Sequence, residues 1–195
     1  MIFFTSDAHF YHFNVIKYCN RPFATVEEMN EKLILNWNSA VSPEDTVYVL
    51  GDFSLAIRPV EIFTSRLNGT KYLVPGNHCW CHSYNKKARG EGKLQKWIDK
   101  YNECGWIVLP EQTTLDIPGV AIINLCHHPY TDPKDTHHDK YANWRPKDDG
   151  RWLLHGHSHS LTQTGIERRM IDCGVDAWDY KPVSIEEIKK IICQK

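Results

Sequence analysis

The stretch Thr46-Val47-Tyr48-Val49-Leu50-Gly51-Asp52 decides the fold class of this chain. Its first five residues are apolar, aromatic or β-branched, which is typical of a short buried strand. A glycine and a carboxylate follow directly, so the strand is predicted to end in a tight turn that presents Asp52. A buried strand with a polar residue at its carboxyl end is the pattern of an α/β protein.

Other short apolar runs have the same length and a similar β-branched content, and we predict strands over residues 2–5, 71–74, 106–109, 120–125, 152–154 and 169–171. Helical periodicity predicts helices over residues 26–41, 61–67, 93–101 and 185–193. Capping boxes precede the first and last of these helices, with Thr25 paired to Glu28 and Ser184 paired to Glu187. No linker-like stretch interrupts the order, so a single domain over residues 1–195 is expected.

Composition and charge restrict the class of partner. The chain has 195 residues, of which 42% are hydrophobic and 12% aromatic, enough to fill a core. Its net charge is -1, so no overall field attracts long nucleic acid, which we do not expect as a partner. Neither a leader nor a membrane-length apolar run is visible, which favours a cytoplasmic protein without a membrane partner. The seven scattered cysteines are expected to be reduced.

Polar residues follow the predicted strands at the point where each strand ends. They are Asp7, His9, Asp52, Asn77, His78, His127, His128, His157 and His159. Loops at the carboxyl ends of strands share one edge of an α/β sheet, so these side chains are expected to converge on one crevice. Carboxylates, an amide and imidazoles together suit manganese, iron or zinc better than calcium. The set is too large for one ion, so the sequence predicts two.

These residues carry a resemblance to a known family. The segments are Asp7-Ala8-His9, Gly51-Asp52, Gly76-Asn77-His78, His127 and Gly156-His157-Ser158-His159. Their order and spacing resemble the motifs of the calcineurin-like metallophosphoesterases, in particular the small uncapped members from bacteria and phages. The resemblance implies a four-layer α/β sandwich of two mixed β-sheets flanked by helices. The strand pattern alone also allows a single doubly wound sheet.

The resemblance also implies a role for each motif residue. It assigns Asp7, His9 and His159 to a first metal ion, Asn77, His127 and His157 to a second ion, and Asp52 to a bridge between them. His78 is then the catalytic residue that contacts the scissile phosphate and helps the leaving oxygen to depart. Two divalent ions are expected as cofactors, with manganese favoured and iron, zinc or nickel as alternatives.

The predicted function is hydrolysis of a phosphate ester by a hydroxide that bridges two metal ions. A phosphodiester is favoured over a phosphomonoester, because the chain has no room for an added capping domain. The expected substrate is a small phosphate ester, with nucleotides among the candidates. The alternative is a protein-binding scaffold of the same fold with little or no activity, although a scaffold has no need of His78. The charge balance also weakens nucleic-acid binding through metal-organised loops.

Two further segments are candidates for substrate recognition. Arg21 and His12 follow the first motif, and the fork of an arginine suits phosphate oxygens. A polar, aromatic loop over residues 129–151 joins two of the motifs and includes His137, His138 and Trp144. Trp144 is predicted either to stack on a nucleobase or to pack in the core.

Four sequence details leave alternatives open. Cys79 stands where the family usually has the acidic residue that supports the catalytic histidine, so the protonation of His78 is uncertain. Residues 79–82 could form a thiolate zinc site, but no second cysteine pair has suitable spacing, which favours ordinary reduced cysteines. Only one of His127 and His128 is expected to face the metals. Residues 172–176 are expected to form a structural turn, with Asp176 in no catalytic role.

Overall fold

The computed structural model describes residues 1–131, 139–162, 164–165 and 168–193, which form two five-stranded sheets with helices around them. The strands are β1 Ile2–Thr5, β2 Thr46–Val49, β3 Thr70–Leu73, β4 Trp106–Val108, β5 Gln112–Ile117, β6 Ala121–Cys126, β7 Leu153–His155, β8 Thr164–Gly165, β9 Met170–Asp172 and β10 Val183–Ser184. The helices are α1 Phe13–Tyr18, α2 Val26–Ala40, α3 Ile57–Phe63, α4 Lys93–Glu103 and α5 Ile185–Cys193.

Both sheets are mixed, as the resemblance implied. The first has the order β10-β1-β2-β3-β4, with β1 to β4 parallel and β10 antiparallel. The second has the order β5-β6-β7-β9-β8, with a parallel centre and antiparallel edges. The predicted architecture of two mixed sheets flanked by helices is therefore confirmed, and a single doubly wound sheet is excluded.

The alternation of side chains along β1 explains how the layers are held together. Phe3 points to one face of the first sheet and packs with Leu33 and Trp37 of α2. Phe4 points to the opposite face and packs with Leu154 of the second sheet. Successive residues of a strand face opposite sides, so one strand contributes to both the helix layer and the core between the sheets.

The differences from the predicted elements have local causes. The helix expected over residues 61–67 begins earlier, at Ile57, because Pro59 lies in the first turn, where a missing N–H is tolerated. Helix α1 and strands β5, β8 and β10 were not predicted. Strands β8 and β10 have two residues each, too few to show a periodic pattern. No helix within the described part of the chain has the length and apolar character needed to cross a membrane.

The parallel strands place the polar loops at one edge. Asp7, Asp52 and Asn77 follow β1, β2 and β3 of the first sheet, while His127 and His157 follow β6 and β7 of the second. The two sets of loops are joined where the backbone N–H of His157 donates to Asp7 Oδ2 at 2.8 Å. The carboxyl edges of both sheets therefore meet at a single site.

Candidate metal centre

Three residues from two loops form the first half of the site. His9 Nε2 lies 3.7 Å from Asp7 Oδ1, and His159 Nε2 lies 3.8 Å from the same oxygen. The candidate ligand atoms of these three residues all lie within 4.8 Å of one another. One carboxylate and two imidazoles at this separation can hold a single divalent ion.

The second half of the site is built around His127. Its Nε2 atom lies 3.1 Å from Asn77 Oδ1, 3.3 Å from His157 Nδ1 and 3.3 Å from Asp52 Oδ2. Asp52 Oδ2 is also 3.9 Å from His9 Nε2, in the first half of the site. Asp52 therefore lies between the two groups of candidate ligands.

Unpaired buried atoms show that the residues fit a cation. Asp7 Oδ1 and both ring nitrogens of His9 are buried, and none has a hydrogen-bond partner among the described residues. Buried polar groups are nearly always paired, because leaving them unpaired costs free energy. A divalent ion coordinated by Asp7 Oδ1 and a nitrogen of His9 would satisfy both groups.

Hydrogen bonds on the far side of the imidazoles fix their orientation. His127 Nδ1 donates to the carbonyl oxygen of Leu50 at 2.8 Å, which turns Nε2 toward Asp52. His159 Nδ1 lies 2.9 Å from Asp176 Oδ2, which directs Nε2 toward Asp7. Such outer contacts are a regular feature of metal-binding histidines, because they set the tautomer and the angle of the ring.

The backbone of the ligand loops is strained. Asp7, His9, Asp52, His157 and His159 have φ values of 57°, 52°, 47°, 71° and 47°, in the left-handed region. Residues other than glycine are uncommon there, although Asp and His are among those that enter it more often. Strain of this kind clusters at functional sites, where the surrounding structure holds the chain in place.

Two glycines allow the loops to approach each other closely. A Cβ atom on Gly51, which has φ +95°, would lie 2.5 Å from His127 Nδ1. A Cβ atom on Gly156 would lie 2.3 Å from Asp7 Oδ2. The predicted tight turn before Asp52 is therefore confirmed, and Gly156 likewise leaves no room for a side chain.

The charges of the site are strongly coupled. Burial opposes the charge on Asp52, yet the adjacent His127 holds the pKa of that carboxyl well below its usual value. Burial would likewise lower the pKa of His127, but Asp52 and Asp7 raise it to about 9. Without metal, the two carboxylates therefore favour the protonated, positively charged form of His127. A metal cation at the site would balance the charge of the carboxylates in place of this proton.

His78 lies at the open side of the site. Its side chain is 45% exposed, and its Nε2 is 4.0 Å from Asp52 Oδ2. The backbone N–H of His78 donates to Asp52 Oδ1 at 2.9 Å, which fixes the residue beside the ligands. Cys79 is buried with Cys81 in the core between the first sheet and its helices, so its thiol belongs to the packing of that core.

Comparison with known proteins agrees with this geometry. A family model described as calcineurin-like phosphoesterase matches residues 1–168. The chain belongs to this family. A calcineurin-like phosphoesterase acts on phosphate esters with the help of metal ions, so metal-dependent hydrolysis is the class of activity, as the sequence predicted.

The relatives of this calcineurin-like phosphoesterase are small proteins of similar length. An uncharacterized protein of Methanocaldococcus jannaschii is 31% identical, over 98% of this chain and 90% of its own length. The Gene 66 protein of Mycobacterium phage L5 is 33% identical, over 97% of this chain and 92% of its own length. A solved structure of a protein of unknown function from Aquifex aeolicus has a TM-score of 0.68 and 27% identity, covering 98% of this chain and 99% of that one.

Arg21 lies in a different place from the one predicted. Its side chain is fully buried and forms two hydrogen bonds with Asp176, at 2.7 and 2.9 Å. Its remaining N–H groups donate to the carbonyl oxygens of Asp7 and Ala8, at 2.7 and 3.0 Å, and to the sulfur of Met29. The prediction of a phosphate contact at Arg21 is therefore wrong, because its donors are already occupied beneath the site.

The same contacts give Asp176 a role that the sequence did not show. Asp176 accepts from Arg21 and from His159 Nδ1, so a buried chain of hydrogen bonds connects the arginine to a candidate metal ligand. Residues 172–176 do form a turn, in which Gly174 N–H donates to Asp172 Oδ1 at 2.7 Å, but Asp176 also supports a candidate ligand. Since 155 residues separate Asp176 from Arg21 along the chain, no local pattern could have shown the pair.

His128 lies closer to the site than predicted. Its ring is buried, lies 4.6 Å from that of His157 and stacks on Tyr141, and neither of its nitrogens has a hydrogen-bond partner among the described residues. Its ligand atom lies within 4.8 Å of those of His127 and His157. The expectation that only one of His127 and His128 faces the site is wrong, because β6 ends at Cys126 and strand alternation no longer applies.

The remaining candidates lie at the edge of the site. His12 is half-buried, with its ring centroid 5.7 Å from that of His9, and its contact with phosphate stays a prediction. Trp144 is half-buried, donates from Nε1 to Ser83 Oγ at 2.8 Å and packs against Tyr84, outside the hydrophobic cores, so stacking on a nucleobase stays a prediction. His137 and His138 lie outside the described residues.

His82 Nδ1 accepts from the backbone N–H of Tyr84 at 3.0 Å, which disfavours the thiolate zinc site.

Proposed function

We propose that this calcineurin-like phosphoesterase hydrolyses phosphodiesters with two divalent metal ions. The observation that carries the proposal is the pair of buried, unpaired atoms Asp7 Oδ1 and His9 Nε2, next to a carboxylate, Asp52, that is shared with a second ligand group. The proposed ligands are Asp7, His9 and His159 for one ion, Asn77, His127 and His157 for the other, and Asp52 for both.

The proposed ions are manganese, with iron, zinc or nickel as alternatives. Carboxylate oxygens, an amide oxygen and neutral imidazoles form a mixed donor set that suits these metals better than calcium. When bound, two such ions supply an activated water as the nucleophile and offset charge on the attacking and leaving oxygens.

His78 is the proposed catalytic residue. Its imidazole faces the open side of the site while its backbone is held by Asp52, so it can reach a phosphate oxygen at this edge. Burial lowers the pKa of His78, which makes its protonated form a better donor to the leaving oxygen. Its position outside the ligand set allows it to donate this proton while the ligands hold the ions.

The phosphodiester preference is supported by the open side of the site. A diester carries an organic group on each side of the phosphorus, so the site must leave room for two groups. The exposed imidazole of His78 borders a groove that also includes Asn77, which offers space for the second group. A monoester would leave this groove unused.

The test compares two chromogenic esters. Metal is removed, Mn²⁺ is added back, and turnover of bis-p-nitrophenyl phosphate is compared with that of p-nitrophenyl phosphate. Asp52→Asn is expected to abolish Mn²⁺-dependent turnover, while Asp116→Asn, which removes an exposed carboxylate on β5, is the matched control and should retain it. Faster hydrolysis of the monoester would contradict the diester preference. Two bound ions without turnover of either ester would favour the scaffold alternative.

A further inference from the structure

A basic groove adjoins the candidate metal centre. Its volume is about 440 Å³, and Asn77 and His78 line one part of it. The other lining residues include four bases, Lys86, Lys87, Arg89 and Lys140, and no carboxylate. The basic side chains therefore share a single depression with the residue that we propose to be catalytic.

The positive charge of this groove is not neutralised by the protein. All four basic residues are exposed, and none of them forms a salt bridge with a carboxylate in the described ranges. Arg66, on another part of the surface, is paired with Glu31. Since the whole chain has a net charge of -1, the groove is a local concentration of positive charge.

Aromatic rings hold two of the lysines in the groove. The ammonium of Lys140 lies 4.7 Å from the ring centroid of Tyr141, and that of Lys87 lies 5.0 Å from the ring centroid of Trp80. A cation above an aromatic face is attracted by the ring but keeps its N–H donors for other partners. The two ammonium groups are therefore positioned and still able to bind an anion.

Hydrogen bonds connect the turn that carries Lys86 and Lys87 to the candidate metal centre. The Asn85 side-chain amide donates to the carbonyl oxygens of Asn77 and His78, at 3.3 and 3.2 Å. Asn85 Oδ1 accepts from the backbone N–H of Lys87 at 3.0 Å. One side chain thus fixes the turn that carries Lys86 and Lys87 relative to the loop that carries His78.

We infer that this groove binds a second phosphate of the substrate, separate from the phosphate that is hydrolysed. The substrate class is then a nucleotide-type phosphodiester that carries an additional phosphate on its sugar. Trp80 and Tyr84 also line the groove and offer aromatic surface to a base or sugar. The inference rests on the proposed function, and it adds a determinant of specificity that none of the metal ligands supplies.

The test uses two chromogenic diesters that differ by one group. They are the p-nitrophenyl ester of thymidine 5′-phosphate and the same ester with an additional 3′-phosphate, so the same bond is broken in both. With the Mn²⁺-loaded protein at low ionic strength, the 3′-phosphate is expected to raise kcat/KM by about fivefold to tenfold. The advantage should shrink at physiological salt, where the screening length falls to about 8 Å.

A charge-matched pair of variants locates the effect. In Lys86→Gln/Lys140→Gln the ratio of kcat/KM between the two esters should fall toward one. In Lys32→Gln/Lys190→Gln, which removes two exposed lysines from α2 and α5, the wild-type ratio should be kept. Equal kcat/KM values for both esters in the wild-type protein, or equal losses in both variants, would overturn the inference.

A binding measurement separates this inference from the proposed function. Thymidine 3′,5′-bisphosphate and thymidine 5′-monophosphate are titrated into the Mn²⁺-loaded wild-type protein and both variants. Tighter binding of the bisphosphate, lost only in Lys86→Gln/Lys140→Gln, supports the groove even if no ester is turned over. Equal affinities of the wild-type protein for the bisphosphate and the monophosphate would overturn the inference, whatever the hydrolysis assay shows.

Discussion

Replacing Arg21 with methionine tests the buried chain of hydrogen bonds beneath the metal centre. Arg21 and Asp176 form a pair of hydrogen bonds, at 2.7 and 2.9 Å, and both side chains are fully buried. Asp176 also accepts from His159. The substitution keeps an apolar stem of similar length but removes the guanidinium that pairs with the Asp176 carboxylate, which leaves His159 Nδ1 as its remaining partner.

The magnitude follows from burial. Removing one partner of a buried ion pair costs about 3–5 kcal/mol when the remaining charge is uncompensated. Because His159 still donates to Asp176, we expect the low end, about 3 kcal/mol, and at about 2–4 °C per kcal/mol the melting temperature should fall by roughly 6–12 °C. Arg66→Met is the matched control. Arg66 also makes two hydrogen bonds to one carboxylate, but it and Glu31 are 40% and 62% exposed, so about 1 kcal/mol or less is expected.

The same variant should weaken metal binding. Loss of the outer partner of a metal-binding histidine lowers metal affinity about 10-fold to 100-fold, and because Arg21 acts on His159 only through Asp176, a loss of about 10-fold or less is expected here. The free energy of unfolding is measured by urea denaturation of the chelator-treated protein, and Mn²⁺ affinity by calorimetry. The reasoning is refuted if Arg21→Met unfolds within about 1 kcal/mol of Arg66→Met and binds Mn²⁺ as the wild-type protein does.

Three further predictions use other parts of the structure. His78→Asn should lower kcat for bis-p-nitrophenyl phosphate by about 10²-fold to 10⁴-fold without changing metal content, and loss of metal would contradict the proposed role. Mn²⁺ at about 100 times its Kd should stabilise the fold by about 2.7 kcal/mol, raising the melting temperature by roughly 5–11 °C relative to the chelated protein; an unchanged temperature would speak against a metal site. Burial lowers the pKa of His82 to about 4, although the carboxylate of Glu111 opposes this shift. Between pH 6.5 and pH 4, His82 therefore binds a proton in the unfolded chain but not in the folded chain. Stability should therefore fall by up to about 3 kcal/mol between pH 6.5 and pH 4, and His82→Gln should reduce this loss in urea titrations at both pH values.

Local patterns were sufficient for the elements that carry the site. The strand over residues 2–5 and the helix over residues 185–193 have the predicted bounds. An apolar run marks the strand and a capping box marks the start of the helix, and both signals are patterns of neighbouring residues. The capping box at Ser184 is confirmed, since Glu187 N–H donates to Ser184 Oγ at 3.3 Å and Ser184 N–H donates to Glu187 Oε2 at 3.0 Å. At Thr25, Glu28 N–H donates to Thr25 Oγ1 at 3.1 Å, but the Glu28 carboxylate accepts from the N–H of Ala24. The convergence of the ligands followed from strand ends alone, since the carboxyl ends of parallel strands share an edge.

The parts that sequence could not predict depend on long-range contacts. Arg21 and Asp176 are in contact only in the folded protein, and no local sequence motif identifies either residue as the partner of the other. His128 faces the site because the chain has left β6, a boundary that no hydrophobic period defines to the residue. The basic groove likewise joins Lys86 and Lys140, which are far apart in the sequence.

The strained ligand loops explain why metal binding and folding should be coupled in this protein. Five proposed ligands lie in the left-handed backbone region, where a residue other than glycine costs roughly 1–2 kcal/mol. Asp7 Oδ1 and the His9 nitrogens add the cost of buried, unpaired polar groups. The two hydrophobic cores on either side of β1 must hold these loops in place when the site is empty of metal. Ions that pair the unpaired atoms remove part of this cost, so the folded chain should bind them far better than the unfolded chain does.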